Sequence, residues 1–164
     1  MRSLLCLFGA VSIGIACLIT GRAYAAYIRR RVLEYASFLG FLRLMEREIS
    51  CFLCTPRELA ERSRDELLEN IGFLSALRRG DSLSFSFEEV RERLLLSDAD
   101  SELLLSFFEK FGQGSRETEL DSLAACVSQF SARADDEAEA APAAIRLSGT
   151  LLALFALGLL ILLL

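Results

Sequence analysis

The sequence predicts an all-α protein, a membrane-anchored cytoplasmic helix bundle with one transmembrane helix at each end. Residues 4–20 and residues 147–164 contain no charged side chain, and they enclose a charged middle segment. In that segment apolar residues recur at helical spacing, and almost no stretch alternates as a strand does. The predicted divisions are 1–21 for the first transmembrane helix, 22–146 for the helical domain and 147–164 for the second transmembrane helix.

Composition narrows the functions open to this chain. Among 164 residues, 18 are Lys or Arg and 23 are Asp or Glu, which gives a net charge of −5. A nucleic-acid partner would need a clustered excess of basic residues, so we predict none. The chain has no His, which excludes Ser-His-Asp and Cys-His nucleophile pairs and mixed His zinc sites. We therefore predict a protein that is not an enzyme and binds no cofactor or metal.

The first apolar stretch has two interpretations. Residues 4–20 would form a helix of roughly 26 Å, just enough to cross a hydrocarbon core. The alternative is a secretory signal peptide, because Arg2 gives a basic start and Ala23-Tyr24-Ala25 resembles a cleavage site. The run is longer than the usual apolar region of about 7 to 15 residues, and Arg22 interrupts it before that site. A retained anchor is favoured over a secreted helical protein held by its C-terminal tail.

Orientation follows from the arginines beside the two stretches. Four follow the first stretch, Arg22, Arg29, Arg30 and Arg31, whereas only Arg2 precedes it. Arg146 precedes the second stretch and no basic residue follows it. Because cytoplasmic flanks carry the excess of Lys and Arg, we predict that the middle segment is cytoplasmic and that both termini lie across the membrane.

The first helix of the middle segment carries a long apolar stripe that begins at Tyr35. Its members recur three and four residues apart, as one helix face requires: Phe38, Leu39, Leu42, Met45, Ile49, Phe52 and Leu53. A helix boundary follows, where Thr55 can cap, Pro56 suits the first helical position and Glu58 completes a capping box. Beyond it, one further helix is predicted from an apolar face of Leu59, Ala60, Leu67, Leu68 and Ile71.

Three more segments complete the helical prediction. Ser86 and Glu89 form a second predicted capping box, so residues 82–87 are interpreted as a loop into a helix over about 87–96. Another helix covers about 99–111 and ends at Gly112. The last helix begins near Ser115 and continues into the second apolar stretch, and Pro142 is expected to kink or briefly interrupt it.

No motif in the sequence predicts catalysis. Cys51 and Cys54 form the only CxxC, but the second pair or the His residues of a zinc site are missing. Carboxylates fall on predicted solvent faces, whereas an acid/base pair needs one group in an apolar pocket. Gly112-Gln113-Gly114-Ser115 has no preceding strand and no following Lys, so it is a turn and not a phosphate loop. A membrane enzyme is accordingly disfavoured.

Several of these residues together match a known family pattern. Glu46-Arg47-Glu48-Ile49 followed by Thr55-Pro56 matches an E-x-E-I segment and a TP turn, Leu59 and Ala60 fit the following helix, and Phe111-Gly112 fits an FG pair. With an apolar anchor before them and an apolar helix ending in ILLL after them, the chain resembles the stage III sporulation protein AB family of endospore-forming bacteria. The similarity is collinear over nearly the whole chain.

The resemblance implies a structural role and not a reaction. Members belong to the protein complex that connects mother cell and forespore, sit in the mother-cell membrane, and have a cytoplasmic helical domain similar to the F platform proteins of type II secretion. The AA member of their operon is an ATPase. The resemblance thus implies that this chain docks that ATPase, or other proteins of the same channel complex, to the membrane. Self-association is left open, and the partner surface is not identified.

Overall fold

The computed structural model describes residues 2–51 and 55–163, and each regular element in those two ranges is an α-helix. The helices are α1 (Arg2–Cys51), α2 (Pro56–Arg62), α3 (Glu66–Asn70), α4 (Phe73–Arg79), α5 (Leu83–Arg91), α6 (Asp98–Lys110) and α7 (Arg116–Leu163). The predicted all-α class is confirmed for this part of the chain.

The chain divides into two compact units. The bundle unit comprises Arg31–Asp136, and the terminal unit comprises Met1–Arg30 with Glu137–Leu164. Helices α1 and α7 each contribute to both units without a break in helical structure. The domain boundaries predicted at residues 22 and 146 stay a prediction.

The core of the bundle unit forms around the predicted stripe of α1. Phe38, Leu42 and Met45 are fully buried, as the helical spacing predicts, whereas Phe52 and Leu53 lie outside the described residues. The Phe38 ring meets the edges of Phe73 and Phe87, each at a centroid distance of 5.5 Å. Such edge-to-face pairs add to the free energy gained by burying the rings. One aromatic cluster therefore joins α1, α4 and α5.

The chain after Thr55 forms three short helices where one was predicted. Helix α2 ends at Arg62, because Ser63 after it has extended backbone angles. The Asp65 carboxylate then starts α3 by accepting hydrogen bonds from the Leu67 and Leu68 amides. Gly72 has a φ of 96°, a left-handed conformation that glycine adopts without steric cost, and it separates α3 from α4. The prediction of a single helix was wrong because two local caps interrupt it.

The predicted start of α5 was also wrong. The helix begins at Leu83, and the Ser82 hydroxyl caps it by accepting a 3.2 Å hydrogen bond from the Phe85 amide. Ser86 is inside the helix and buried, so it forms no cap. Leu83, Phe87 and Val90 share one buried face at helical spacing. Burial of that face outweighs the strand-like alternation of the same residues.

Helices α6 and α7 follow the prediction closely. The turn between them has Gly112 at a φ of 86°, and the Glu119 carboxylate accepts hydrogen bonds of 3.0 and 2.8 Å from the amides of Gly112 and Gly114. Helix α7 then continues through Pro142. The helix is therefore not interrupted at Pro142, although an interruption was one of the two effects expected there.

Candidate functional site

The start of α2 contains the densest group of residues singled out in the sequence. The Thr55 hydroxyl accepts a 3.3 Å hydrogen bond from the Glu58 amide, and the Glu58 carboxylate accepts a 2.8 Å bond from the Thr55 amide. Pro56 occupies the first helical position, where its missing N–H costs nothing. The predicted capping box is present, and it fixes where α2 starts.

The neighbouring motif residues connect α1 to α2. Ile49 and Leu59 belong to the buried core, so both are packing residues. Glu48 forms an ion pair with Arg62 of α2, and Glu46 is half-buried on α1. Packing by Ile49 and Leu59 and the ion pair of Glu48 therefore hold α1 and α2 together. Their role in binding a partner stays a prediction.

The other singled-out residues lie elsewhere in the fold. Gly112 is in the turn between α6 and α7, and its left-handed φ explains why glycine stands there. Arg22, Arg29 and Arg30 are exposed on α1. Arg31 is half-buried and hydrogen-bonds the Tyr35 phenol. The candidate residues therefore form three separate groups and not one site.

A buried polar cluster, which we call the Asp100 cluster, joins three parts of the bundle unit. The Tyr35 hydroxyl of α1 donates a 2.6 Å hydrogen bond to the Asp100 carboxylate of α6. The Ser97 hydroxyl donates to the same oxygen, and the guanidinium of Arg133 in α7 lies 3.8 Å from the other oxygen. Because 65 residues separate Tyr35 from Asp100 in the sequence, helical periodicity gave no signal of the pair.

The protonated phenol of Tyr35 suits a structural role for the Asp100 cluster. Burial raises the pKa of the Tyr35 phenol above its ordinary value of 10.0, and the hydrogen bond to Asp100 raises it further. The phenol thus stays protonated at neutral pH and can donate to the carboxylate. The Glu34 carboxylate, fully buried, accepts a hydrogen bond from the Leu95 amide and so holds the loop between α5 and α6 on α1.

The thiols and carboxylates show no metal site in the described residues. Burial raises the pKa of the Cys126 thiol to about 11, so it is protonated at neutral pH and a poor nucleophile. Cys54 of the CxxC lies outside the described residues. Within residues 2–51 and 55–163, no three His, Cys, Asp or Glu side chains are grouped as a metal ion would require.

The terminal unit pairs small residues of α1 with α7. Gly14, Cys17, Gly21 and Ala25 are half-buried at spacings of three and four residues, and a Cβ added at Gly21 would lie 3.3 Å from a methyl carbon of Leu152. Large apolar side chains on both helices are exposed: Ile15, Leu18 and Ile19 on α1 and Leu151, Leu154 and Phe155 on α7. Small residues inside and large apolar residues outside are typical of paired membrane helices.

Helix α7 meets the length and composition required to cross a membrane. Its described stretch Arg116–Gly158 contains an 18-residue window with a mean hydropathy of 1.6, and that window is not buried inside the molecule. In the part of the chain that the structure describes, α7 alone meets both requirements. The stretch that meets them includes residues 147–158 of the predicted second span.

Comparison with known proteins gave one match. The family model of stage III sporulation protein AB matches residues 6–164, which is nearly the whole chain. No curated protein and no solved structure matches.

Proposed function

The chain belongs to the stage III sporulation protein AB family, and from this premise we propose that it is a non-enzymatic structural component of the channel complex linking mother cell and forespore. Family membership gives it a role in stage III of sporulation. The observation that carries the more specific proposal is the continuity of α1 and α7, each of which joins an apolar outer segment to the core of the bundle unit. Such helices can hold a cytoplasmic bundle at a membrane.

The proposal includes a membrane span at each end of the chain. The hydropathy of α7 supports the second span, and the small-residue face of α1 against α7 supports the first. Tyr24 and Tyr27 follow the first apolar stretch, are exposed, and stack at 6.5 Å. Exposed Tyr rings are typical of a membrane interface. Arg22, Arg29, Arg30 and Arg31 then favour the cytoplasm for the bundle, by the rule that basic flanks stay inside.

The packing favours a retained first helix over a cleaved signal peptide. Cleavage after Ala25 would remove Gly21, the residue that lies against Leu152. The apolar face of α7 would then lose its helical neighbour. The alternative, a secreted helical bundle with a C-terminal membrane tail, would leave the bundle core intact, because the first residue of that core is Tyr35. The mass of the mature protein and the side of the membrane on which the bundle lies separate the two.

We also propose that the bundle docks the AA ATPase of the same operon, or another protein of the channel complex, to the mother-cell membrane. The support is family membership together with the cytoplasmic orientation argued above. In the same way, we propose that the bundle is a counterpart of the F platform domain of type II secretion, for which the all-helical fold is the support.

A flotation experiment tests the docking. The full-length chain is reconstituted in lipid vesicles, mixed with the purified ATPase and centrifuged through a density gradient. The ATPase should float with loaded vesicles and stay at the bottom with empty vesicles. Vesicles whose outward bundles have been removed by protease serve as the matched control. An ATPase that stays at the bottom with loaded, correctly oriented vesicles would show that this docking role is wrong.

A further inference from the structure

Two helix faces of the bundle unit point away from its core and carry opposite charge. The α1 outer face consists of Ala36, Gly40, Arg43 and Arg47, all exposed. The α7 outer face consists of Glu117, Asp121, Ala124, Ser128 and Asp135, all exposed. Spacings of three, four and seven residues put each set on one side of its helix. Small residues therefore lie beside the charges on both faces, Gly40 near Arg43 on α1 and Ala124 near Asp121 on α7.

Three charged side chains on these two faces form no ion pair within the described residues. The guanidinium of Arg43 forms no ion pair with residues 2–51 or 55–163, and neither do the carboxylates of Glu117 and Asp121. Charged groups of this kind attract an oppositely charged surface and set the register of a complex.

The opposite charges also lie at matching heights along the bundle. The rings of Tyr35 in α1 and Phe130 in α7 stack at 5.4 Å. Tyr35 contacts Asp100 at the start of α6. Further along α1, Phe41 contacts Phe73, which stacks on Phe108 further along α6, so α1 and α6 run in the same direction. Arg133 approaches Asp100 and Glu119 bonds the turn after α6, so α7 runs antiparallel to both. Arg43 is eight residues beyond Tyr35 and Asp121 is nine before Phe130, so both lie about 12 to 14 Å from the pair.

Packing within one molecule does not explain why residue 40, Gly40, is a glycine. A Cβ added there would meet nothing within 4 Å, so the fold does not require glycine. A glycine inside a helix nevertheless destabilises that helix relative to alanine. What a missing side chain allows is the close approach of a second backbone from outside. At the same height, α7 presents the small side chain of Ala124.

We propose that a second copy of this chain docks here, with the α1 outer face of one copy against the α7 outer face of the other. Two copies anchored in the same membrane hold their bundles at the same distance from it. This inference rests on the anchoring proposed above. Arg43 of one copy then lies opposite Asp121 of the other, and Gly40 lies opposite Ala124. Contact between two α1 outer faces would instead place Arg43 against Arg43, which charge repulsion disfavours.

The test uses two differently tagged full-length copies, expressed together, solubilised in mild detergent and purified on one tag. Wild-type copies should be recovered together, and Arg43→Glu or Asp121→Arg in both copies should lower recovery about fivefold. The double variant Arg43→Glu/Asp121→Arg should restore it, because the charges are exchanged and still opposite. Arg64→Glu, an exposed arginine outside both faces, is the matched control and should change nothing.

A steric variant gives an independent result. Since space beside Gly40 is open, Gly40→Leu should leave the thermal midpoint of unfolding unchanged or higher and still reduce co-recovery. The proposal is overturned if wild-type copies are not recovered together, if the exchanged charges fail to restore recovery, or if Gly40→Leu has no effect on it. It is also overturned if Arg43→Glu in both copies leaves their recovery together unchanged. Because none of these readouts requires the ATPase, failure of the docking role would leave this inference standing.

Discussion

Among single residues, Asp100 has partners from three parts of the bundle. Tyr35 donates to it from α1, Ser97 from the residue before α6, and Arg133 approaches it from α7. A buried carboxylate is stable only when its oxygens are hydrogen-bonded or paired. The cluster therefore stabilises one arrangement of these helices, and losing a donor should lower the free energy of unfolding.

Replacing Tyr35 with phenylalanine tests this role. Tyr35→Phe keeps the ring that stacks on Phe130 and removes the hydroxyl that donates to Asp100. We expect the free energy of unfolding to fall by about 1 to 3 kcal/mol, because a buried oxygen loses a donor. Denaturant unfolding of the full chain in detergent measures it. Tyr27→Phe, at an exposed tyrosine, is the control, and an equal loss there would contradict the role.

The same residue predicts a pH dependence. The pKa of Tyr35 is raised in the folded protein above its ordinary value of 10.0, so the folded state holds this proton more tightly than the unfolded state. Its contribution to stability is fully present below pH 10 and is lost as pH rises through the raised pKa. Wild type should therefore lose more stability than Tyr35→Phe above pH 10. If the free energy of unfolding fell equally with pH in the two proteins, this assignment would be wrong.

At the scale of helices, periodicity and capping signals predicted most of the bundle. The stripe of α1 is buried as predicted because its spacing leaves one apolar face, and the Thr55 capping box depends only on residues three apart. The three short helices after Thr55 could not be predicted in the same way. Their ends depend on the Asp65 cap and on the left-handed Gly72, and the apolar pattern that continues from Leu59 to Ile71 does not show them.

At the start of α5 the predicted cap, Ser86, differs from the observed cap, Ser82, and this difference can be tested. Ser82→Ala removes the true cap and should lower the free energy of unfolding by about 1 kcal/mol. Ser86 has a buried hydroxyl with no hydrogen-bond partner in the described residues, so Ser86→Ala should be neutral or stabilising. Thermal unfolding of the two variants compares them. The reverse order of stability would favour the cap at Ser86.

The stripe of α1 can be tested as core against surface. Leu42 is fully buried, and truncation to alanine at such a position commonly costs about 2 to 5 kcal/mol. Leu33 lies on the same helix and is 57% exposed, so Leu33→Ala should change the free energy of unfolding by less than about 0.5 kcal/mol. Comparable midpoints for Leu42→Ala and Leu33→Ala would mean that the stripe is not core.

At the scale of the whole molecule, the segregation of charge along the chain predicted the two apolar ends. It could not predict that Gly21 lies against Leu152, because that contact joins helices far apart in the sequence. The Asp100 cluster was missed for the same reason. Contacts between residues far apart in the sequence were therefore not visible in it, whereas the single apolar stretches were.

The central claim is that the bundle lies in the cytoplasm between two membrane anchors, and cysteine labelling in intact cells tests it most directly. With the 5 native cysteines replaced by alanine, Glu61→Cys places one thiol on the exposed face of α2, and a second variant carries a cysteine appended to the C-terminus. A membrane-impermeant maleimide should label the appended cysteine in intact cells and Glu61→Cys only after lysis. Labelling of Glu61→Cys in intact cells would contradict the claim and favour the secreted bundle.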